Sequence, residues 1–360
     1  MKKLFLITSV FTLIVNFSYS QGCIAVRNIS GFGQYNLTDN AFTTSTWQLN
    51  INNRYFTTYH DFKGSVDLHT PPQNQNIIKS FSTDIGITRL FSKGWSLDLS
   101  IPISANSRTS DLEHGGLNTP RYTTRAFGVG DITITAYKWL LAPRVKQKGN
   151  VQLGLGIKLP TGDYKYEDYF HWNDSTKVLA PVNSAIQLGD GGTGIITELN
   201  TFYFLNNTIS FYGNFYYLIN PREQNGVLAT LGGRPASDLL KKSNGDAVSV
   251  NDVFSMRIGA NYNLAKWAFS LGLRDEGAPV HDLIGGSNGT RRAGYTLSVE
   301  PGILYKLKSA TIYAYVPVIV GHAIRQNVVD KNMTRLTGVY TIGMGGSGDY
   351  QVFVGVLIKI

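Results

Sequence analysis

Six histidines, His60, His69, His114, His171, His281 and His322, are the side chains of this chain best suited to moving protons or holding a metal. All lie in or beside long irregular connections. None forms the H-E-x-x-H pair that would present two imidazoles from one helix face, so no metal site is expected. Nucleophilic catalysis needs a serine, a histidine and an orienting group that converge to about 3 Å. No strand-borne histidine has a serine two residues away, and an enzyme is not expected. Gln187-Leu-Gly-Asp-Gly-Gly-Thr-Gly194 is glycine-rich but lacks the lysine of a phosphate loop and opens a strand, not a helix. It reads as a turn that shapes a loop, with Asp190 a weak candidate for calcium. Neither cofactor nor nucleic acid is implied.

A different set of charges repeats inside stretches of alternating polarity. Arg54, Asp98, Asp131, Lys158, Glu198, Arg257, Arg274 and Glu300, with Tyr212, Tyr216, Tyr313 and Tyr315, fall opposite the apolar face of their segments. Four cations balance four anions. Such charges are tolerated inside a low-dielectric wall when paired or wet. They describe either the salt-bridged filling of a small barrel, which is the preferred reading, or a pore constriction that meets a solute.

The elements that must carry these residues are strands. Val151-Gln-Leu-Gly-Leu-Gly-Ile-Lys-Leu159 has an aliphatic residue at every odd position, the period-two signature of a strand with unlike faces. Ser82–Ile103 reads as a hairpin around Ser92-Lys93-Gly94, with Leu90 alone off the apolar face. Segments near 209–219, 254–264, 267–273, 295–305 and 350–360 repeat the pattern. Short connections (Ser92–Gly94, Ala142–Gly149, Asn206-Asn207, Ala265, Leu307–Ser309) strictly alternate with long ones (Asp61–Lys79, Asn106–Phe127, Gly162–Thr193, Pro221–Asn251, Glu276–Arg292, Gly321–Asp349). Counting between them predicts an all-β antiparallel transmembrane barrel of twelve strands from about Thr46 to Ile360, with short periplasmic turns and long extracellular loops.

Composition agrees. Charged residues make up 16% of the chain, Gly is 38, and Tyr plus Phe is 20 plus 18. Apolar residues never run long enough after the N-terminus for a helical span, which needs about 20. A soluble sandwich would also alternate, but it would hide its aromatics. The N-terminus, Lys2-Lys3 followed by an apolar Leu4–Val15 and small residues to Ser20, reads as a signal peptide over 1–20, cleaved before Gln21. Residues 21–45 read as a periplasmic or plug segment, and 46–360 as the barrel. Cys23, the lone cysteine, excludes an internal disulfide, and Gly22-Cys23 leaves acylation as an alternative. The net charge of +9, or +7 without Lys2 and Lys3, suggests contact with anionic lipopolysaccharide or anionic solutes.

Three stretches resemble a known family. Gly128-Val-Gly-Asp-Ile-Thr-Ile-Thr-Ala-Tyr-Lys138, Gly154-Leu-Gly-Ile-Lys-Leu-Pro-Thr-Gly-Asp163 and Gln187–Gly194 together resemble the outer-membrane proteins of the phenol meta-pathway degradation family, over roughly residues 80 to 360. The resemblance implies a transporter-like or porin-like barrel associated with small aromatic or hydrophobic compounds. The Ser18-Tyr-Ser-Gln21 cleavage site is similar to those of Bacteroidetes secreted proteins. Pro160 and Gly162 suit a strand leaving the membrane, with Asp131 and Asp163 near the outer rim. The expected role is transport of a small solute gated by the long loops, in an outer membrane, after insertion by the barrel-assembly machinery. The alternative is a structural or partner-binding component of a secretion or surface-assembly complex.

Overall fold

The computed structural model describes residues 46–117, 119–142 and 147–360. The signal peptide, the 21–45 segment and Cys23 lie outside the described residues.

Twelve antiparallel strands close on themselves. In chain order they are β1 (Trp47–Thr58), β2 (Ile77–Leu90), β3 (Trp95–Ser110), β4 (Tyr122–Val129 and Thr133–Trp139), β5 (Gly149–Lys158), β6 (Gly194–Phe204), β7 (Ile209–Ile219), β8 (Val253–Leu264), β9 (Trp267–Ala278), β10 (Gly294–Lys306), β11 (Ala310–Tyr315 and Val318–Ile324) and β12 (Gln351–Lys359). Each pairs with its sequence neighbours. Closure comes from β1 on β12, Gln48 facing Lys359 and Phe56 facing Gln351.

Register decides which face is wet. Leu153, Leu155 and Ile157 of β5, Phe211 and Phe215 of β7, and Leu271 and Leu273 of β9 all point outward and are exposed. An exterior this apolar is stable only in lipid. Aromatic rings mark both edges of the band: Trp47, Trp95, Tyr203, Tyr262 and Trp267 at the periplasmic end, and Tyr55, Phe81, Phe127 and Tyr350 at the other. The eight steps from Trp47 to Tyr55 on a tilted strand cover about 20 Å, enough for a thin outer membrane. The protein is therefore an outer-membrane β-barrel. No described helix is long and apolar enough to cross a membrane.

Two strands are interrupted, and proline stands at both places. Pro102 of β3 cannot donate to β4, and there Gly130–Ile132 loops out between the two β4 segments. Pro317 splits β11 opposite Pro301 of β10, whose carbonyl takes the Val316 N–H. The strands reach further outward than alternation suggested. β3 runs to Ser110 and β4 starts at Tyr122, although Asn106–Phe127 reads as loop, because polar residues such as Ser107, Thr109 and Thr123 continue the ladder beyond the lipid. The long connections carry their own structure: a hairpin (Glu167–His171 with Lys177–Pro181), a second (Gln224–Leu228 with Ala247–Ser249), a three-stranded patch (His60–Lys63, Val66–Asp67, Met344–Ser347) and a helix α1 (Val328–Thr337). An Asn327–Asp330 capping box starts α1 and left-handed Gly338 ends it.

Candidate functional site

All the inward positions anticipated from alternation face the lumen except Asp131, which sits in the Gly130–Ile132 interruption of β4. They do not line an open pore. Ser82, Ser255, Ser298, Asn200, Arg274 and Glu300 are 0% exposed, which leaves no water column beside them. Two of the cavities among the described residues, of about 20 Å³ near Tyr212 and about 30 Å³ near Gln351, have room for a water or two each.

The centre of the filling is a polar network shared by five neighbouring strands. Arg257 donates to Glu300 Oε1 from Nη2 (2.6 Å) and Nε (3.1 Å). Arg274 donates to Glu276 Oε2 at 2.7 Å and reaches Glu300 Oε2 at 3.6 Å. Gln351 donates to the other Glu276 oxygen at 2.7 Å. Aromatic faces cover the guanidiniums, Tyr315 under Arg257 (5.0 Å) and Phe353 under Arg274 (5.1 Å), with Tyr313 stacked beyond. Neither charge is naked, so burial is sustainable. Glycines opposite make room for the rings: a Cβ at Gly272 would strike Tyr212, and one at Gly355 would strike Tyr313.

Other candidates are spread around the wall. Arg54 lies over Phe56, Asp98 accepts from Thr88, and Glu198 sits beside Tyr137. Below them an amide chain runs from Gln152 through Asn200 to Asn214, and Tyr313 donates to Asn50 at 2.8 Å. At the periplasmic end Trp139, Phe204, Leu304 and Leu357 point inward and are buried.

The outward half is closed by the chain itself. Between β5 and β6 the connection turns into the barrel, where Val182, Ile186 and Leu188 pack on the inward Ile78 of β2 and Ala126 of β4. Ile186 is 0% exposed. Asn106 donates to its carbonyl at 3.1 Å, Gln187 to that of Val182, and Asn183 ties to Glu113 and Arg292. Arg108 in turn holds Glu113 at 3.0 Å. This inward plug is not evident in the sequence.

The three family-like stretches meet at the root of that plug. Lys158, at the end of β5, bridges Asp190 and Asp131, the latter at 3.4 Å. Asp131 also accepts the N–H groups of Gly162 (3.0 Å) and Asp190 (3.2 Å), and the Ile132 N–H donates to Thr161 at 2.9 Å. Only glycine fits the crossing, since a Cβ on Gly162 would lie 2.6 Å from the Leu188 oxygen. Asp190, considered for calcium, is taken by Lys158.

Histidines cluster outside. The His171 N–H donates to His114 Nδ1 at 3.0 Å, Tyr122 stacks on His171 at 3.9 Å, and Phe170 on His114 at 5.4 Å. Burial holds the His114 pKa below its ordinary 6.5, because the cation would lose hydration. Protonated Nδ1 could not accept from His171. With the folded pKa depressed, the unfolded chain binds the proton more readily, so the stabilisation is full above pH 6.5 and is lost as pH falls through the folded value. Limited proteolysis of the 167–181 hairpin should therefore accelerate on acidification from about pH 7.5 to 5. In His114→Gln the acceleration should vanish; if it persists unchanged, His114 is not its origin.

Sequence reasoning missed Glu276, Arg108, Glu113 and the plug. Glu276 continues the inward parity of Arg274, a signal overlooked because the strand seemed to stop before it.

Comparison with known proteins gives fold, not sequence kinship. No family model matches the chain, and no curated protein matches it. Among solved structures, the COG4313 outer membrane channel from Pseudomonas putida F1 superposes with TM-score 0.58 at 11% identity, covering 88% of this chain and 96% of that one. The Ralstonia pickettii toluene transporter TbuX gives TM-score 0.40 at 9% identity over 90% of this chain and 92% of its own, too loose to argue from. The exterior, the closure and this likeness together make the protein a twelve-stranded β-barrel of the bacterial outer membrane.

Proposed function

We propose that the protein is a gated outer-membrane transporter for a small solute, closed in the state described. The carrying observation is the plug: a loop folded into the lumen, packed on the wall by apolar side chains and clipped at its root by a single ammonium between two carboxylates. A wall needs only its own side chains to be stable, whereas a clipped loop can be released. Rings around the outer end of the plug, Tyr122, Phe170, His171 and Trp172, suit an amphipathic or aromatic solute, in keeping with the family resemblance. A second reading, an assembly component that docks a partner, is favoured by Leu283, Ile284, Val339 and Tyr340, which lie exposed on the external loops.

Planar-bilayer conductance separates the two. The intact protein should conduct at least about tenfold less than a variant in which residues 182–188 are replaced by a short glycine linker and Arg257 and Glu300 by alanine, because the plug and the central network both fill the lumen and conduction requires it to open. Large stable steps from the intact protein would reject the closed transporter. Silence from the shortened, folded variant would reject a central route and leave the docking role.

A further inference from the structure

The basic excess of this chain is not spread over the molecule. Within the periplasmic turns and the strand ends flanking them, the described residues include Lys93, Lys148, Lys266 and Lys308 in the turns, Lys306 and Lys359 at the lumen mouth, and Arg89 and Lys138 on the outer face. No Asp or Glu occurs among these described turns and ends. These eight cations, with Lys2 and Lys3, exceed the whole formal charge of +9, so the remainder of the chain, external loops included, sums to slightly below zero. The potential is therefore concentrated at the end that faces away from the lipopolysaccharide leaflet.

Two of these cations are placed by the fold against lipid. Arg89 of β2 faces Trp47 of β1 in register and lies over its ring at 4.9 Å. Lys138 of β4 faces Trp95 of β3 in register and lies over its ring at 5.1 Å, with its ammonium also donating to the Lys93 carbonyl. Both tryptophans point outward and are nearly half exposed. Interfacial tryptophan sits at headgroup depth, so each ring holds a cation at that depth. β3 alone separates β2 from β4: Arg89 faces Leu97 and Lys138 faces Trp95, two residues along β3, which puts the two cation-bearing positions about 12 Å apart on the outer face, with Leu97 and Trp95 on the strand that separates them.

We propose that this face, Trp47, Arg89, Leu97, Trp95 and Lys138, binds the headgroup of an anionic phospholipid of the periplasmic leaflet, its acyl chains lying along the β2–β4 exterior. A periplasmic protein would meet the turn lysines, but Arg89 and Lys138 stand on the outward face beside lipid-exposed Leu97. Among the described residues neither cation has an anionic partner; the phosphodiester supplies that negative charge, and the chains cover Leu97 and Ile134, both exposed.

The test uses the folded protein in bilayers of phosphatidylcholine doped with spin-labelled phosphatidylglycerol or spin-labelled phosphatidylcholine, read as the motionally restricted fraction by electron paramagnetic resonance. Expected is an association constant for phosphatidylglycerol at least about threefold that for phosphatidylcholine, falling with salt as charge contacts do. Arg89→Gln with Lys138→Gln should bring the two lipids to parity, while Lys266→Gln with Lys308→Gln, in the turns, should leave most of the preference. Equal association in the unaltered protein overturns the proposal, as does a preference that survives the Arg89 and Lys138 changes. Competition by millimolar inorganic phosphate would also overturn it, showing a small-anion site in place of a lipid one. Heat-modified migration on gels verifies that each variant is folded.

Discussion

Replacing Arg257 by alanine should destabilise the barrel by about 3–5 kcal/mol, the largest effect expected from any single lumen substitution, because it strips Glu300 of its closest cation where no water can take over. Glu300 is 0% exposed and its Oε1 takes two Arg257 donors, while Arg274 approaches only the other oxygen, at 3.6 Å. Removing both partners is different in kind. Arg257→Met with Glu300→Leu deletes the buried charges together and should lie within about 1 kcal/mol of the unaltered protein. Urea unfolding followed by gel mobility and tryptophan fluorescence compares them. A single Arg257→Ala variant as stable as the unaltered protein would mean that the network is wet and loosely held.

The second large effect belongs to Lys158. In Lys158→Met, Asp131 and Asp190 face each other without the ammonium that joins them, and the plug loses its clip. The attachment should weaken by about 3 kcal/mol. Labelling of Ile186→Cys by an external thiol reagent, in a Cys23→Ser background, should then accelerate about a hundredfold relative to the same cysteine with Lys158 intact. An unchanged rate would show that Val182, Ile186 and Leu188 hold the plug by packing alone.

Much of this was legible in the sequence, and the reason is register. A wall one residue thick forces every strand to declare its two faces, so Arg54, Lys158, Glu198, Arg257, Arg274 and Glu300 could be assigned inward from parity alone. Pairing was not legible, because which charges meet depends on the shear of the closed sheet, which brings Arg257 of β8 to Glu300 of β10 across Arg274 of β9. Glu276 was misread as loop since the lipid-facing alternation stops at Leu273 and Asp275 takes the next outward place. The plug escaped for the opposite reason. Val182, Ile186 and Leu188 have neither period, and a loop that packs inward leaves no local mark other than scattered apolar residues between turns. The three family-like stretches were visible as words, but their convergence on Asp131 required the β4 interruption that Pro102 imposes.

The position of the plug in the chain has a consequence for how the molecule assembles. Its apolar anchors, Ile78 and Ala126, and its hydrogen-bond partners Asn106 and Glu113 all precede it in sequence, and the Lys158 clip lies immediately upstream. An open sheet of β1 to β5 presents most of the seat. The loop can therefore settle onto an open, curved half-wall, and the later strands close over it, with Arg292 fastening Asn183 only at the end. Nothing has to be threaded through a finished ring if the wall closes after the loop has settled.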